Sequence, residues 1–226
     1  MSKNYASDLF LFLKELEANN NRLWFNANKE RYNALRNAWI ADIDSLIAHM
    51  SQWDSDLASQ NASDCIYRIY RDTRFSPDKT PYKTYFSAAI SPWGRKTNRA
   101  AYYLQFDINS EQCGLYGGLW CPDTSMLTKL RHAIVDNIEE WEEIVNQSEI
   151  THYFPGWIGA RLATAPKGWN RNHPQIEYLR LRDYGKFHQC PPTFFYDHTW
   201  PQHAAELFHI LKPIIDFLNY SLDEEI

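Results

Sequence analysis

The sequence predicts an α+β fold: a single domain over residues 1–226, built on a mainly antiparallel sheet of about 4–6 strands packed with N- and C-terminal helices. Three observations carry this expectation. Apolar residues recur every three or four positions at both ends of the chain but alternate in its middle third. The strand-like runs follow one another through short connections, which favours an antiparallel meander over a βαβ rhythm. Aromatic residues make up 15% of the chain and glycine only 8 positions, a composition suited to one well-packed core and not to a flexible multi-part chain.

Helices are expected over about 8–50. Leu9, Phe12, Leu13 and Leu16 form one face of the first, which Ser7 or Asp8 can cap and Asn19-Asn20-Asn21 ends. The second runs from about Asn28 to Met50, with Tyr32, Leu35, Trp39, Ile43, Leu46, Ile47 and Met50 on its stripe. Strands are expected over about 65–120. Cys65–Phe75 alternates, with Tyr67 and Ile69 on one face and Ile66, Arg68, Tyr70, Asp72 and Arg74 on the other. Two prolines and an Asp make Ser76–Pro81 a turn, after which Thr84–Ser91 returns as a strand. Ala101–Ile108 and Glu111–Trp120 follow. A helix over about 123–145 carries Leu127, Leu130, Ile134, Ile138, Trp141 and Val145. Residues 151–190 read as irregular chain, in which Ala160–Thr164 pairs briefly with the sheet, plus a helix from His173-Pro174 to about Arg182 and a short strand, Lys186–Cys190. The chain ends in a helix over about 201–222, bent at Pro213. No repeat or low-complexity linker interrupts this order.

Composition excludes several function classes. Lys and Arg number 23 against 28 Asp and Glu, a net charge of −5, which excludes binding nucleic acid through bulk positive charge. The run Leu9–Leu13 falls well short of the roughly 20 apolar residues that cross a bilayer. Met1–Asp8 lacks the charged region and apolar core of a secretory leader, so the expectation is a cytoplasmic protein without membrane contact. Cys65, Cys113, Cys121 and Cys190 form no Cys-x-x-Cys pair and read as reduced, mostly buried thiols. No metal is expected, because His198 and His203 are five apart, not four, and the other histidines have no ligand spacing. Phosphate-loop, nucleophile-elbow and dinucleotide fingerprints are missing, and no cofactor is expected.

The charges are unevenly spread. Ile66–Arg99 carries a local +6 and Arg161–Lys186 a local +4, leaving −15 for the rest. Arg on both faces of a half-buried strand is unusual, and guanidinium groups suit carboxylate or phosphate. Three readings follow. In the leading one, the protein binds a small anionic ligand through Arg68, Arg71, Arg74, Lys79 and Lys83. Tyr70 and Tyr82 supply hydrogen bonds there, and Lys167 and Arg180 contribute from further along. In the second, an enzyme uses the same pocket on a phosphorylated or carboxylate substrate, with Asp72 or Asp78 as general base. In the third, a structural or protein-interaction domain consumes its Arg residues in internal ion pairs. Tyr102-Tyr103-x-x-Phe106 gives weak support to stacking on single-stranded nucleic acid, but alternating aromatics are more often core.

The run Phe12-Leu13-x-x-Leu16-x-x-Asn19-Asn20-Asn21-x-x-Trp24-Phe25-x-x-Asn28-Lys29-x-x-Tyr32 is one signature. A second is Tyr67-Arg68-Ile69-Tyr70-Arg71-Asp72-Thr73-Arg74-Phe75-Ser76-Pro77-Asp78-Lys79-Thr80-Pro81-Tyr82-Lys83-Thr84. Further matches are Gly117-Gly118-x-Trp120-x-Pro122, Pro166-Lys167-Gly168-Trp169, His173-Pro174 and Leu179-Arg180. Through these the chain resembles, over nearly its full length, the bacterial and fungal proteins catalogued as domain of unknown function 2461. The resemblance implies a single α+β domain, draws attention to the Arg-Asp-x-Arg-Phe segment, and brings no activity. One departure is Asn172, where an acidic residue is expected before the His-Pro pair.

Overall fold

Asparagine side chains set the early helix boundaries. The computed structural model describes residues 5–223, so Met1–Asn4 of the segment read for a leader, and the last residues of the 1–226 span, lie outside the described residues. Helix α1 (Tyr5–Ala18) buries Leu9, Phe12, Leu13 and Leu16 as the stripe requires. It begins earlier than expected, so Ser7 and Asp8 lie inside the helix and do not cap it. Asn21 caps a short helix that periodicity did not reveal, α2 (Arg22–Ala27), by accepting from the Trp24 amide. Helix α3 (Lys29–Met50) buries all seven stripe residues, from Tyr32 to Met50. A single turn, α4 (Ala62–Cys65), precedes the basic segment.

That segment is not the strand expected over Cys65–Phe75. It makes two isolated antiparallel bridges with the returning chain, Ile66 to Ala88 and Tyr70 to Tyr82. Four positions separate Ile66 from Tyr70, but six separate Tyr82 from Ala88, so the pairing steps by two residues between the bridges. The step overrides alternation: Ile66 and Ile69, three apart, are both buried, while Tyr67 is exposed. Arg68 therefore belongs to no pleated face.

The sheet has four antiparallel strands in the order β1 (Tyr85–Ile90), β2 (Ala101–Asp107), β3 (Gly114–Leu119), β4 (Tyr184–Gln189), a meander in its first three members. The run from Glu111 to Cys113 stays outside β3, and β4 starts two residues before Lys186. The helix expected over 123–145 is two, α5 (Thr124–Asp136) and α6 (Ile138–Val145), because Asn137 leaves helical geometry at φ −121°, ψ 41°. A further short helix, α7 (Ser148–Tyr153), follows. Of the helix expected over His173–Arg182 only α8 (Ile176–Leu179) forms. Ala160–Thr164 pairs with chain 180–182 and not with the sheet, through Arg161 bridging Leu181. The last helix, α9 (Trp200–Asp223), contains Pro213.

The chain divides into two compact units. The first comprises the described part of Met1–Arg95 with Tyr103–Leu115 and Gln189–Glu206. Its core is aromatic: Trp39 stacks on Trp200 at 5.6 Å and meets Phe86, Phe106 and Phe195. The Asp42 carboxylate, accepting from the Tyr5 hydroxyl at 2.6 Å and the Trp200 indole at 2.8 Å, ties α1 and the Trp200 turn to α3. Burying side chains of this size stabilises by about 1.5–3 kcal/mol each, so this cluster holds the framework on which the basic segment rests.

The second unit comprises Lys96–Tyr102, Tyr116–His188 and the described part of Leu207–Ile226. Trp141 is its centre, stacked on Trp157 at 5.6 Å and packed on Tyr178, Tyr184 and Phe217. Buried Arg131 donates to the carbonyls of Leu179 and Leu181 at 2.8 and 3.1 Å. Lys186 is 4% exposed, with its ammonium 4.3 Å from the centre of the Trp157 ring. Burial lowers its pKa from 10.5 to about 8. The unfolded chain thus holds the proton more readily, so folding is penalised fully below pH 8, and the penalty fades as pH climbs toward 10.5. Lys186→Met is expected to raise the melting temperature at pH 7 by about 2–6 °C, given roughly 1–2 kcal/mol for removing an unpaired buried charge offset by one cation–π contact. A melting series at pH 7 and pH 10.5 checks it, the gain shrinking at the higher pH.

Candidate functional site

The first unit contains a cavity of about 550 Å³, lined by Glu17, Asn20, Arg71, Asp72, Asp78, Thr80, Tyr82, Lys83, Thr84 and Tyr85. Four consecutive residues, Tyr82–Tyr85, contribute to its wall. A regular pleat would send alternate side chains to opposite faces. The stretch also spans the start of the step in pairing between Tyr82 and Ala88.

The other walls come from far away in sequence. Glu17 lies in the last turn of α1, and Asn20 sits just beyond it. Asn20 clasps the backbone of Tyr82 in both directions: its Nδ2 donates to the Tyr82 carbonyl at 2.9 Å, and its Oδ1 accepts from the Tyr82 amide at 3.1 Å. The Tyr82 ring stacks on Phe25 of α2 at 4.0 Å, which fixes the hairpin against the first helices.

The loop between Arg71 and Pro81 is tied to itself. The Arg71 NH1 donates to the Asp78 carboxylate and the Thr80 hydroxyl. Asp78 also accepts from the Thr80 amide at 2.9 Å. Arg74 grips Asp72 through two bonds of 3.0 and 2.7 Å, and Lys79 donates to the Thr73 carbonyl at 2.9 Å. Both aspartates hold their protons weakly as a result. Hydrogen bonds from the Arg74 side chain and amide bring Asp72 down to about 2. The Thr80 amide, then Arg71, bring Asp78 down to about 2. Carboxylates this acidic suit orienting a cation better than taking a proton near neutral pH.

Lys83 is different. It has no carboxylate partner among the described residues; its ammonium lies 5.2 Å from the Tyr67 ring centre and 5.4 Å from that of Tyr85. Burial, and secondarily Arg68, push its pKa below the usual lysine range. Arg68 is exposed and makes no ion pair with any described residue. On the acidic side, Glu17 is exposed and likewise has no ion-pair partner among the described residues. Asp107 has its pKa raised by burial, although it accepts from the Asn109 amide and the Gln105 side chain. Its charge acts on Tyr85, whose hydroxyl is pushed up mainly by burial.

Of the residues expected at the site, Arg71, Asp72, Asp78, Tyr82 and Lys83 line the cavity. Arg68, Tyr70, Arg74 and Lys79 belong to the same segment but do not line it, Tyr70 being 46% exposed with its ring on Phe25 and Tyr82. Lys167 and Arg180 lie in the second unit; Lys167 is exposed, and Arg180 donates to the Leu162 carbonyl at 2.7 Å and pairs with Glu177 at 3.5 Å. The reading in which Arg residues are consumed internally thus describes Arg71, Arg74 and Arg180 but not Arg68. Glu17, Asn20, Thr80, Thr84 and Tyr85 were not singled out by sequence reasoning. Of these, Asn20 stands in the Asn triplet, and Thr80 and Thr84 stand in the motif that ends at Thr84. Tyr102 and Phe106 are buried, in keeping with a core role for the aromatic strand. None of the four cysteines is in a disulfide; Cys65, Cys113 and Cys190 are buried and Cys121 is exposed. Among the described residues, no cluster of His, Cys, Asp and Glu could hold a metal, and no helix is long and apolar enough to cross a membrane.

Fold and cavity together define an α+β protein with a polar hollow of mixed charge beside a stepped hairpin. The chain belongs to the family described as "Conserved hypothetical protein (DUF2461)", whose sequence model matches residues 8–217. No curated protein and no solved structure matches the chain.

Proposed function

We propose that the cavity of the first unit binds a small ligand through an anionic group, phosphate or carboxylate. The observation that supports this reading is Lys83: a half-buried lysine that lines the cavity and has no carboxylate partner among the described residues. Burying a cation without a counter-ion is costly, and an external anion relieves that cost. Arg71 adds to the reading, because its bonds to Asp78 and Thr80 run through NH1 and leave its other guanidinium nitrogens for a ligand. Glu17 supplies an acceptor for a hydroxyl or amine elsewhere on the same ligand.

Arg71 is a poor probe, since it also ties the loop through Asp78 and Thr80. Lys83→Met is cleaner. Wild type is to be melted with inorganic phosphate, sugar phosphates, nucleotides and short oligonucleotides at low and high salt. A specific ligand at a hundred times its dissociation constant raises stability by about 2.7 kcal/mol. The expected result is a melting shift that Lys83→Met abolishes and Lys79→Met keeps. If no anion shifts wild type, or if Lys83→Met responds equally, the reading fails.

A further inference from the structure

We infer that Lys83 is an imine-forming amine, and that the cavity takes small carbonyl compounds bearing a carboxylate or phosphate. This rests on the anion reading above and adds the chemistry of the ligand's other end. Four features of the site converge on it. Lys83 lines a cavity of about 550 Å³, ample for a molecule of a few carbons. It is spared the carboxylate that would hold its proton, and instead faces the rings of Tyr67 and Tyr85. Lysines become nucleophilic when they are desolvated or set beside another cation, and Lys83 is both, with Arg68 as the neighbour. Arg71 stands in the same wall to hold the anionic group while the carbonyl meets the amine.

The chemistry balances without a cofactor. The lone pair of Nζ adds to the carbonyl carbon, and a nitrogen proton passes to the former carbonyl oxygen to give a carbinolamine. The hydroxyl then takes up from solvent the proton that the ammonium released when its lone pair was freed, the carbon–oxygen bond breaks, water leaves, and the nitrogen lone pair closes the carbon–nitrogen double bond of a protonated imine. No electrons are gained or lost. The protonated imine carries the one positive charge that the lysine ammonium carried before reaction, in a cavity whose lining also includes Asp72, Asp78 and Glu17.

The test is reductive trapping on the full chain. Wild type is incubated with glyoxylate and sodium cyanoborohydride, digested and mapped by mass spectrometry. The expected result is a single reduced adduct on Lys83, formed ahead of any on the exposed lysines, suppressed by inorganic phosphate and lost in Lys83→Arg. Acetaldehyde, which has no anionic group, is expected not to select Lys83. The inference is overturned if adducts spread over surface lysines, if Lys83→Arg labels as wild type does, or if acetaldehyde selects Lys83 equally well. A melting shift with glyoxylate that depends on Lys83 but yields no adduct overturns the imine alone and leaves anion binding standing. Failure of every anion to shift the melt overturns both.

Discussion

Gly118→Ala is expected to be the most damaging single substitution in the chain. Gly118 lies in β3 with φ +131°, a conformation that side-chain-bearing residues rarely adopt. A Cβ placed there would lie 2.0 Å from the carbonyl oxygen of Tyr184, 2.9 Å from its carbonyl carbon and 3.0 Å from the Cα of Gly185. All three obstacles are backbone of β4, so no rotamer change relieves them. Either β3 and β4 separate or the local backbone of both rearranges, and Tyr184 is a packing partner of Trp141 at the centre of the second unit. The cost should exceed about 4 kcal/mol, a large part of the stability of an ordinary domain. The variant is expected to be recovered insoluble, or to melt more than about 8 °C below wild type. A soluble protein melting within a degree or two of wild type would contradict the close approach of β3 and β4.

The second large effect is expected at Asp183. This buried carboxylate accepts from the Cys121 amide at 2.7 Å and the Ala160 amide at 3.0 Å, two points of the second unit far apart in sequence. Cys121 is held at φ +50°, where a non-glycine residue rests only when its surroundings insist. Gly159 presses close, its position leaving no room for a Cβ beside the Asp183 carboxylate. Asp183→Ala removes the acceptor from both amides at once. With about 1–3 kcal/mol for each buried donor left unpaired, the expected loss is roughly 2–6 kcal/mol. Asp183→Asn should retain part of it, because the amide oxygen still accepts one bond. Chemical denaturation of the three proteins checks the order wild type, Asn, Ala; equal midpoints for wild type and Ala would refute the staple.

The sequence made the helices legible because a helix repeats its own geometry. The stripe from Tyr32 to Met50 needed nothing beyond the 3.6-residue period, and α3 buries every member of it. The break at Asn137 escaped notice for the same reason: Ile134, Ile138 and Trp141 keep helical spacing across it, so hydrophobicity alone sees one helix. In the basic segment the failure has a different cause. Alternation from Cys65 to Phe75 predicts faces only while pairing is regular, and the step between its two bridges reassigns Ile66 and Ile69 to the interior together.

The site was half legible. Arg71, Asp72, Asp78, Tyr82 and Lys83 stand in one short motif, and a dense run of cations is visible in any reading of the chain. Which cation keeps its charge unpaired was not visible, since Arg71 and Arg74 look as available as Lys83 until their aspartates are placed. Glu17 and Asn20 reach the cavity only through the folding of α1 against the hairpin, and no spacing rule connects positions more than fifty residues apart.

The two surplus residues on the returning arm also make the hairpin adjustable. Shortening that arm by a pair would let the arms align evenly from Tyr82 to Ala88, and strict alternation would then turn Lys83 and Tyr85 away from Thr84. The lining of the recess is thus tied to the length of the returning arm, at a point that adjoins β1.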